Sequence, residues 1–284
     1  MSHIRYRRAE VDGLEVFYRE AGDPRHPTLL LLHGFPTSGH MFRDLIPLLS
    51  DRFHLVAPDL PGFGLTSRPA REEFSYSFDN LAKIIQGFTD VLGLDRYALY
   101  VFDYGAPVGF RLAMARPDRV SAIVSQNGNA YEAGLGDAWD PIQRYWHEPS
   151  EAHRDALREF LSPELIRWQY EHGVADKTQI SPDGSALDAW YTQRPGVAEI
   201  QLDLFLDYQS NVKLYPAFQR YLREHQPRVL AIWGDKDPFF LPPGAHAFKE
   251  DVPEATVILL DTGHFALETH AAEISEAIRG FLPG

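Results

Sequence analysis

The chain has 284 residues, 44% of them hydrophobic, enough for one large α/β domain or for a core domain carrying an insertion. Acidic residues (40) outweigh basic ones (27), and the net charge of −13 argues against nucleic acid and anionic membranes, since both need clustered Lys and Arg. There is no cysteine, which excludes disulfides, thiolate metal sites and a Cys nucleophile.

The first eight residues are partly basic but lead into no apolar stretch, and no run approaches a membrane span, so a soluble, cytoplasmic protein is expected. Residues 4–10 and 14–20 alternate loosely around Asp12-Gly13 and predict a hairpin. Residues 28–32 form an all-apolar run, a candidate central strand, ending in His33-Gly34-Phe35-Pro36; a helix is expected over 38–49. The next strand, 53–57, runs into the turn-rich loop that begins Asp59-Leu60-Pro61-Gly62-Phe63-Gly64. Residues 77–92 read as an amphipathic helix, with Phe78, Leu81, Ile84, Ile85, Phe88, Val91 and Leu92 on one face.

The stretch from Tyr97 to Gly109 is the centre of the reading. A buried strand runs to Asp103 and turns directly into a helix at Gly105, the nucleophile-elbow pattern with Asp where Ser usually stands. The helix N-terminus should favour the anion and lower the pKa of Asp103. The alternative is that Asp103 serves only as an N-cap.

A further strand is expected at 120–125, after which strand–helix alternation stops. Residues 129–223 are rich in Trp and Tyr and in helix-like segments. Alternation resumes with strands at 228–233 and 256–260 and helices at 243–250 and 271–282. The pattern predicts an α/β fold: a mostly parallel, eight-stranded sheet flanked by helices, with a core domain of residues 1–128 and 224–284 and a helical cap (lid) at 129–223.

Two later residues follow strands in the order nucleophile, acid, histidine. Asp237 lies in Gly234-Asp235-Lys236-Asp237-Pro238, with Asp235 as its competitor, and His264 lies in Asp261-Thr262-Gly263-His264-Phe265. Histidine suits the activation of a water near pH 7, and Asp237 would hold its tautomer. The backbone N–H groups of Phe35 and Tyr104 are candidates for an oxyanion hole, with His33 bracing the loop. The histidines make no helical ligand pair and no glycine-rich nucleotide loop follows a strand, so neither a metal nor a cofactor is expected.

With these motifs the chain resembles the α/β-hydrolase superfamily over nearly its whole length. The elbow Asp103 resembles that of the Asp-nucleophile branch, which holds epoxide hydrolases, haloalkane dehalogenases and fluoroacetate dehalogenases. The resemblance implies that Asp103 attacks an sp3 carbon and that His264 activates water against the resulting ester. Haloalkane dehalogenases cradle halide with a Trp after the nucleophile, and often with an Asn in the His-Gly-Asn-Pro loop; here Tyr104 and Phe35 stand there. Fluoroacetate dehalogenases use Arg beside the nucleophile, absent here, although Trp146 resembles one of their lid residues. Epoxide hydrolases use two cap tyrosines as acids, best matched by Tyr145 and Tyr208, with Tyr215 in reserve, although they too usually carry Trp where this chain has Tyr104. The implied function is epoxide hydrolysis to a vicinal diol. The alternatives are a haloalkane or haloacid dehalogenase, or a non-catalytic small-molecule binding protein on the same fold. A small lipophilic substrate is the expected partner, and a homodimer is one option for the assembly.

Overall fold

The computed structural model describes residues 3–283 and holds eight strands in one sheet. In chain order these are β1 (Arg5–Val11), β2 (Leu14–Ala21), β3 (Thr28–Leu32), β4 (His54–Pro58), β5 (Tyr97–Phe102), β6 (Val120–Gln126), β7 (Arg228–Gly234) and β8 (Thr256–Leu260). Their spatial order is β1-β2-β4-β3-β5-β6-β7-β8. Only β2 pairs antiparallel with its neighbours; the other pairs, from β4 to β8, are parallel.

The central strands are apolar on both faces, as parallel strands covered on both sides must be. Leu30, Leu32, Leu99, Val101 and Ile123 share one buried cluster, and Leu29, Leu31, Tyr100, Phe102 and Val124 share the other. The period of two sends alternate side chains to opposite faces. The first cluster is covered by α2 (Phe78–Val91), α3 (Gly105–Ala115) and, past the other helices, α9 (Pro242–Asp251). The second is covered by α1 (Leu45–Leu49) and α10 (Leu267–Phe281).

Between β6 and β7 the chain inserts α4 (Asp140–His147), α5 (Glu151–Ala156), α6 (Pro163–Glu171), α7 (Pro182–Thr192) and α8 (Val197–His225). The last is 29 residues long and runs beyond the expected boundary at 223, closing on Gln226 in the left-handed region (φ 45°).

Two expected helices differ. The one expected over 38–49 is a 3-10 turn, Gly39–Phe42, followed by the five-residue α1. Pro47 has no N–H to donate and its ring excludes a helical carbonyl four residues back, so α1 must start afresh just before it. Helix α10 begins four residues earlier than expected, at Leu267, and passes through a non-helical His270 (φ −124°). Among the described residues no helix is long and apolar enough to cross a membrane.

Candidate active site

Strand β5 is buried along its whole length and delivers Asp103 at φ 47°, a region disfavoured for any residue but glycine. Close approach on two sides maintains this turn. A Cβ at Gly105 would lie 2.2 Å from the Leu32 carbonyl oxygen, and one at Gly34 would lie 2.2 Å from Asp103 Oδ1. Both positions therefore need glycine, and the loop after β3 lies directly against the elbow.

That contact makes the two carboxylate oxygens of Asp103 unequal. Oδ1 accepts hydrogen bonds from the backbone N–H of Phe35 and of Tyr104, each at 2.6 Å. Oδ2 faces His264, 3.9 Å from its Nε2. The N-cap of α3 is Tyr104, so Asp103 does not serve as that cap. The expectation that the helix N-terminus lowers the Asp103 pKa is corrected. Burial raises it to about 6, against the opposing influence of His264 and the two N–H donors. Desolvation of a buried carboxylate outweighs partial charges and two hydrogen bonds here, yet the group is still mostly ionised at pH 7.

His264 is buried in the loop after β8, and its Nδ1 lies 2.7 Å from Asp237 Oδ2. This contact assigns the proton to Nδ1 and turns Nε2 toward Asp103. Burial alone would lower the His264 pKa; the charge and hydrogen bond of Asp237, then the charge of Asp103, override it and raise the net value. Asp237 is itself held by Asn127 Nδ2 (2.7 Å) and the Phe239 N–H (2.8 Å), whereas Asp235 is exposed. Asn127, just past β6 at φ 47°, also accepts the Gly234 N–H, tying the ends of two strands to the acid. Sequence reading missed it, although its place one residue past a strand end is a signal of the kind that marked Asp237. His33 is buried and neutral, its pKa lowered to about 4 chiefly by burial. Its Nε2 accepts the Leu60 N–H, bracing the loop that carries Phe35.

Above Asp103 lies a small cavity, about 20 Å3 measured over the positions open to the centre of a water molecule. Its wall combines Asp103, His264, Phe35 and Tyr104 from the core with Trp139, Ile142, Phe160, Gln169 and Phe205 from the inserted segment, and Phe239. The expected substrate-binding residues are placed differently. The Tyr145 hydroxyl accepts from Arg154, which is also paired with Glu199 and Asp203. Tyr208 and Tyr215 bring their buried hydroxyls within 3.5 Å of each other, and Asn129 donates to Tyr215. The Tyr208 ring packs on Trp139, Tyr104 and the parallel ring of Trp146. None of Tyr145, Trp146, Tyr208 and Tyr215 lines the cavity. Gln169, which does line it, was not legible in the sequence. Among the described residues no group of three or more His, Cys, Asp or Glu is placed to hold a metal.

Fold and site together define a hydrolase of the α/β class, and the chain belongs to the family described as alpha/beta hydrolase fold, whose model matches residues 27–271. It is 49% identical to an uncharacterized hydrolase of Saccharomyces cerevisiae, YNR064C, across 98% of both chains. It is 33% identical to haloalkane dehalogenase 2 of Mycobacterium bovis, over 89% of this chain and 86% of that one. Among solved structures, Cfl2 from Burkholderia cenocepacia superposes with a TM-score of 0.82 at 25% identity, covering 99% of this chain and 96% of the other.

Proposed function

We propose that this protein hydrolyses small lipophilic substrates at an sp3 carbon through an ester on Asp103, and that its reaction is the opening of an epoxide to a vicinal diol. The observation that carries the reading is the division of labour within one carboxylate. Oδ1 is held in two backbone N–H groups, while Oδ2 faces the cavity side of His264 and is free to attack. In the first step Oδ2 bonds to a ring carbon, and the carbon–oxygen bond breaks with its electron pair on the epoxide oxygen. In the second, His264 takes a proton from water and the hydroxide attacks Cγ of Asp103. The negative charge then grows on Oδ1, where the Phe35 and Tyr104 N–H groups already point. Oδ2 leaves with the product, and Asp103 keeps the oxygen from water. One proton of that water passes through His264 to the departing oxygen; the other replaces the proton given to the alkoxide.

Two features favour an epoxide over a halide. The indole N–H groups of the two tryptophans beside the site, which a halide would need, are taken: Trp139 by the Phe239 carbonyl, Trp146 by that of Phe205. An alkoxide needs a proton, and the buried phenols of Tyr208 and Tyr215, whose pKa values burial raises further, carry one at neutral pH. Tyr208 stands behind Trp139 and Tyr104, so substrate must spread that wall to meet it. A cavity sized for about one water must widen for any substrate. The second reading, carbon–halogen cleavage, is favoured by the relative named haloalkane dehalogenase 2.

The test uses styrene-type epoxides, bromoalkanes and fluoroacetate, with diol and halide measured separately. His264→Gln is expected to trap the ester as an adduct on intact-protein mass measurement. One turnover of the wild type in heavy-oxygen water should leave label in the side chain of Asp103. Halide release without diol would select the second reading, and an unlabelled Asp103 would end both.

A further inference from the structure

Resting on the aspartyl-ester reading, we infer that the carboxamide of Gln169 is the hydrogen-bond donor to the oxygen that leaves the attacked carbon. Few side-chain polar atoms among the described residues are both buried and without a hydrogen-bond partner, and only two belong to residues of the cavity wall, Gln169 Nε2 and the Tyr104 hydroxyl. The Tyr104 ring is enclosed by the rings of Phe35, Phe63, Phe78 and Tyr208. Gln169 instead sits on α6 at 2% exposure and shares the cavity wall with Ile142, Phe160, Phe205 and Phe239, none of which offers a side-chain polar atom.

The helix fixes it there. Ser162 caps α6 by accepting the Leu165 N–H, and the next residue, Tyr170, stacks on Phe265 with ring centroids 3.9 Å apart. Phe265 adjoins His264, so α6 is anchored to the loop that carries the base. An unsatisfied amide in an apolar wall destabilises the empty protein and is relieved when a ligand atom accepts its hydrogen bond. The accepting atom has to be electronegative, and the cavity that Gln169 lines is where the substrate would bring one.

The chemistry of an amide suits that place. As Asp103 Oδ2 bonds to carbon, the breaking bond leaves its electron pair on the epoxide oxygen, and the N–H of Gln169 meets the growing charge. The carboxamide keeps its own proton, so it lowers the barrier to bond breaking while a phenol supplies the proton. An interaction that strengthens as charge develops raises the rate at saturation more than it tightens binding.

The test is made in the His264→Gln protein, where the ester accumulates, with styrene oxide as probe and intact mass as readout. Adding Gln169→Met, a near-isostere without the donor, should slow adduct formation at saturating epoxide roughly 100-fold. The half-saturating concentration should stay within about threefold, because the lost contact belongs to the transition state. Adduct formation at the rate of His264→Gln alone would overturn the role of Gln169, as would a loss confined to binding. No adduct with Gln169 intact would instead sink the aspartyl-ester reading, and this inference with it. Should Gln169→Met fail to fold, Gln169→Asn withdraws the same donor by one methylene and is read by the same two numbers.

Discussion

Asp103 has to satisfy two opposed demands. Enclosure by Gly34, Gly105 and the aromatic wall aims the carboxylate but disfavours its charge, raising the pKa to about 6 from an ordinary 3.8. Only the anion can attack carbon, so ester formation should fall as pH drops through about 6. His264 works against that loss, since its charge is the leading influence lowering the Asp103 pKa. In His264→Gln, whose substitution is neutral, the acid limb of adduct formation should therefore move to higher pH than in the wild type. Rapid-quench measurement of the adduct between pH 5 and 8 checks this, and coincident limbs would mean that His264 exerts no charge on the nucleophile. The second step runs the other way. It needs neutral His264, and because Asp237 raises the pKa of that histidine, hydrolysis of the ester should quicken as pH rises.

At the scale of elements, α8 carries the two buried phenols that the epoxide reading needs as acids. Tyr208 and Tyr215 are seven residues apart, two helical turns, and so share a face. Tyr208→Phe with Tyr215→Phe is expected to slow epoxide opening by roughly two orders of magnitude while leaving hydrolysis of a simple ester unchanged. Tyr145→Phe should act through Arg154 on stability, by about 1 kcal/mol, and leave the opening rate alone. Single-turnover rates and urea unfolding separate the two, and equal losses on both substrates would reduce the α8 tyrosines to pocket shape. The same element shows where reading from sequence stops. Strand ends can be found locally, because a short apolar run followed by a turn marks them, and Asp103, Asp237 and His264 all sit at such ends. Residues on the inserted helices reach the cavity through packing. A helical period says that Gln169, Trp139 and Phe205 lie on some buried face, and only the crossing of helices decides which face looks onto Asp103. Spacing from the nucleophile singled out Tyr145, whose hydroxyl the fold turns to Arg154.

Across the whole molecule, the inserted helices are joined to the core beside His264 by a buried polar cluster. Asp188 on α7 accepts the Tyr170 hydroxyl from α6 at 2.5 Å, and Tyr170 stacks on Phe265. Nearby, Glu268 of α10 takes a two-point hydrogen bond from Arg43, at 3.0 and 2.6 Å. Burial raises the Asp188 pKa to about 8; Glu268 adds to that rise, while the bond from Tyr170 and the charge of Arg43 oppose it. The folded protein thus keeps a proton at neutral pH that the unfolded chain has released. The sign follows from that difference. The contribution of Asp188 to stability is complete below the unfolded value near 3.8, falls as pH rises toward 8, and is flat beyond. The slope in that window is at most about 1.4 kcal/mol per pH unit for one group. Asp188→Asn keeps an acceptor for Tyr170 and carries no charge, so its stability should exceed that of the wild type by a margin that widens from pH 4 to pH 8. Urea unfolding of both proteins at pH 5 and pH 8 measures the margin. Curves that stay parallel would show that Asp188 releases its proton in the folded state as readily as in the unfolded one. The attachment of the inserted helices beside His264 would then rest on the Tyr170–Phe265 stack and not on a protonated carboxyl.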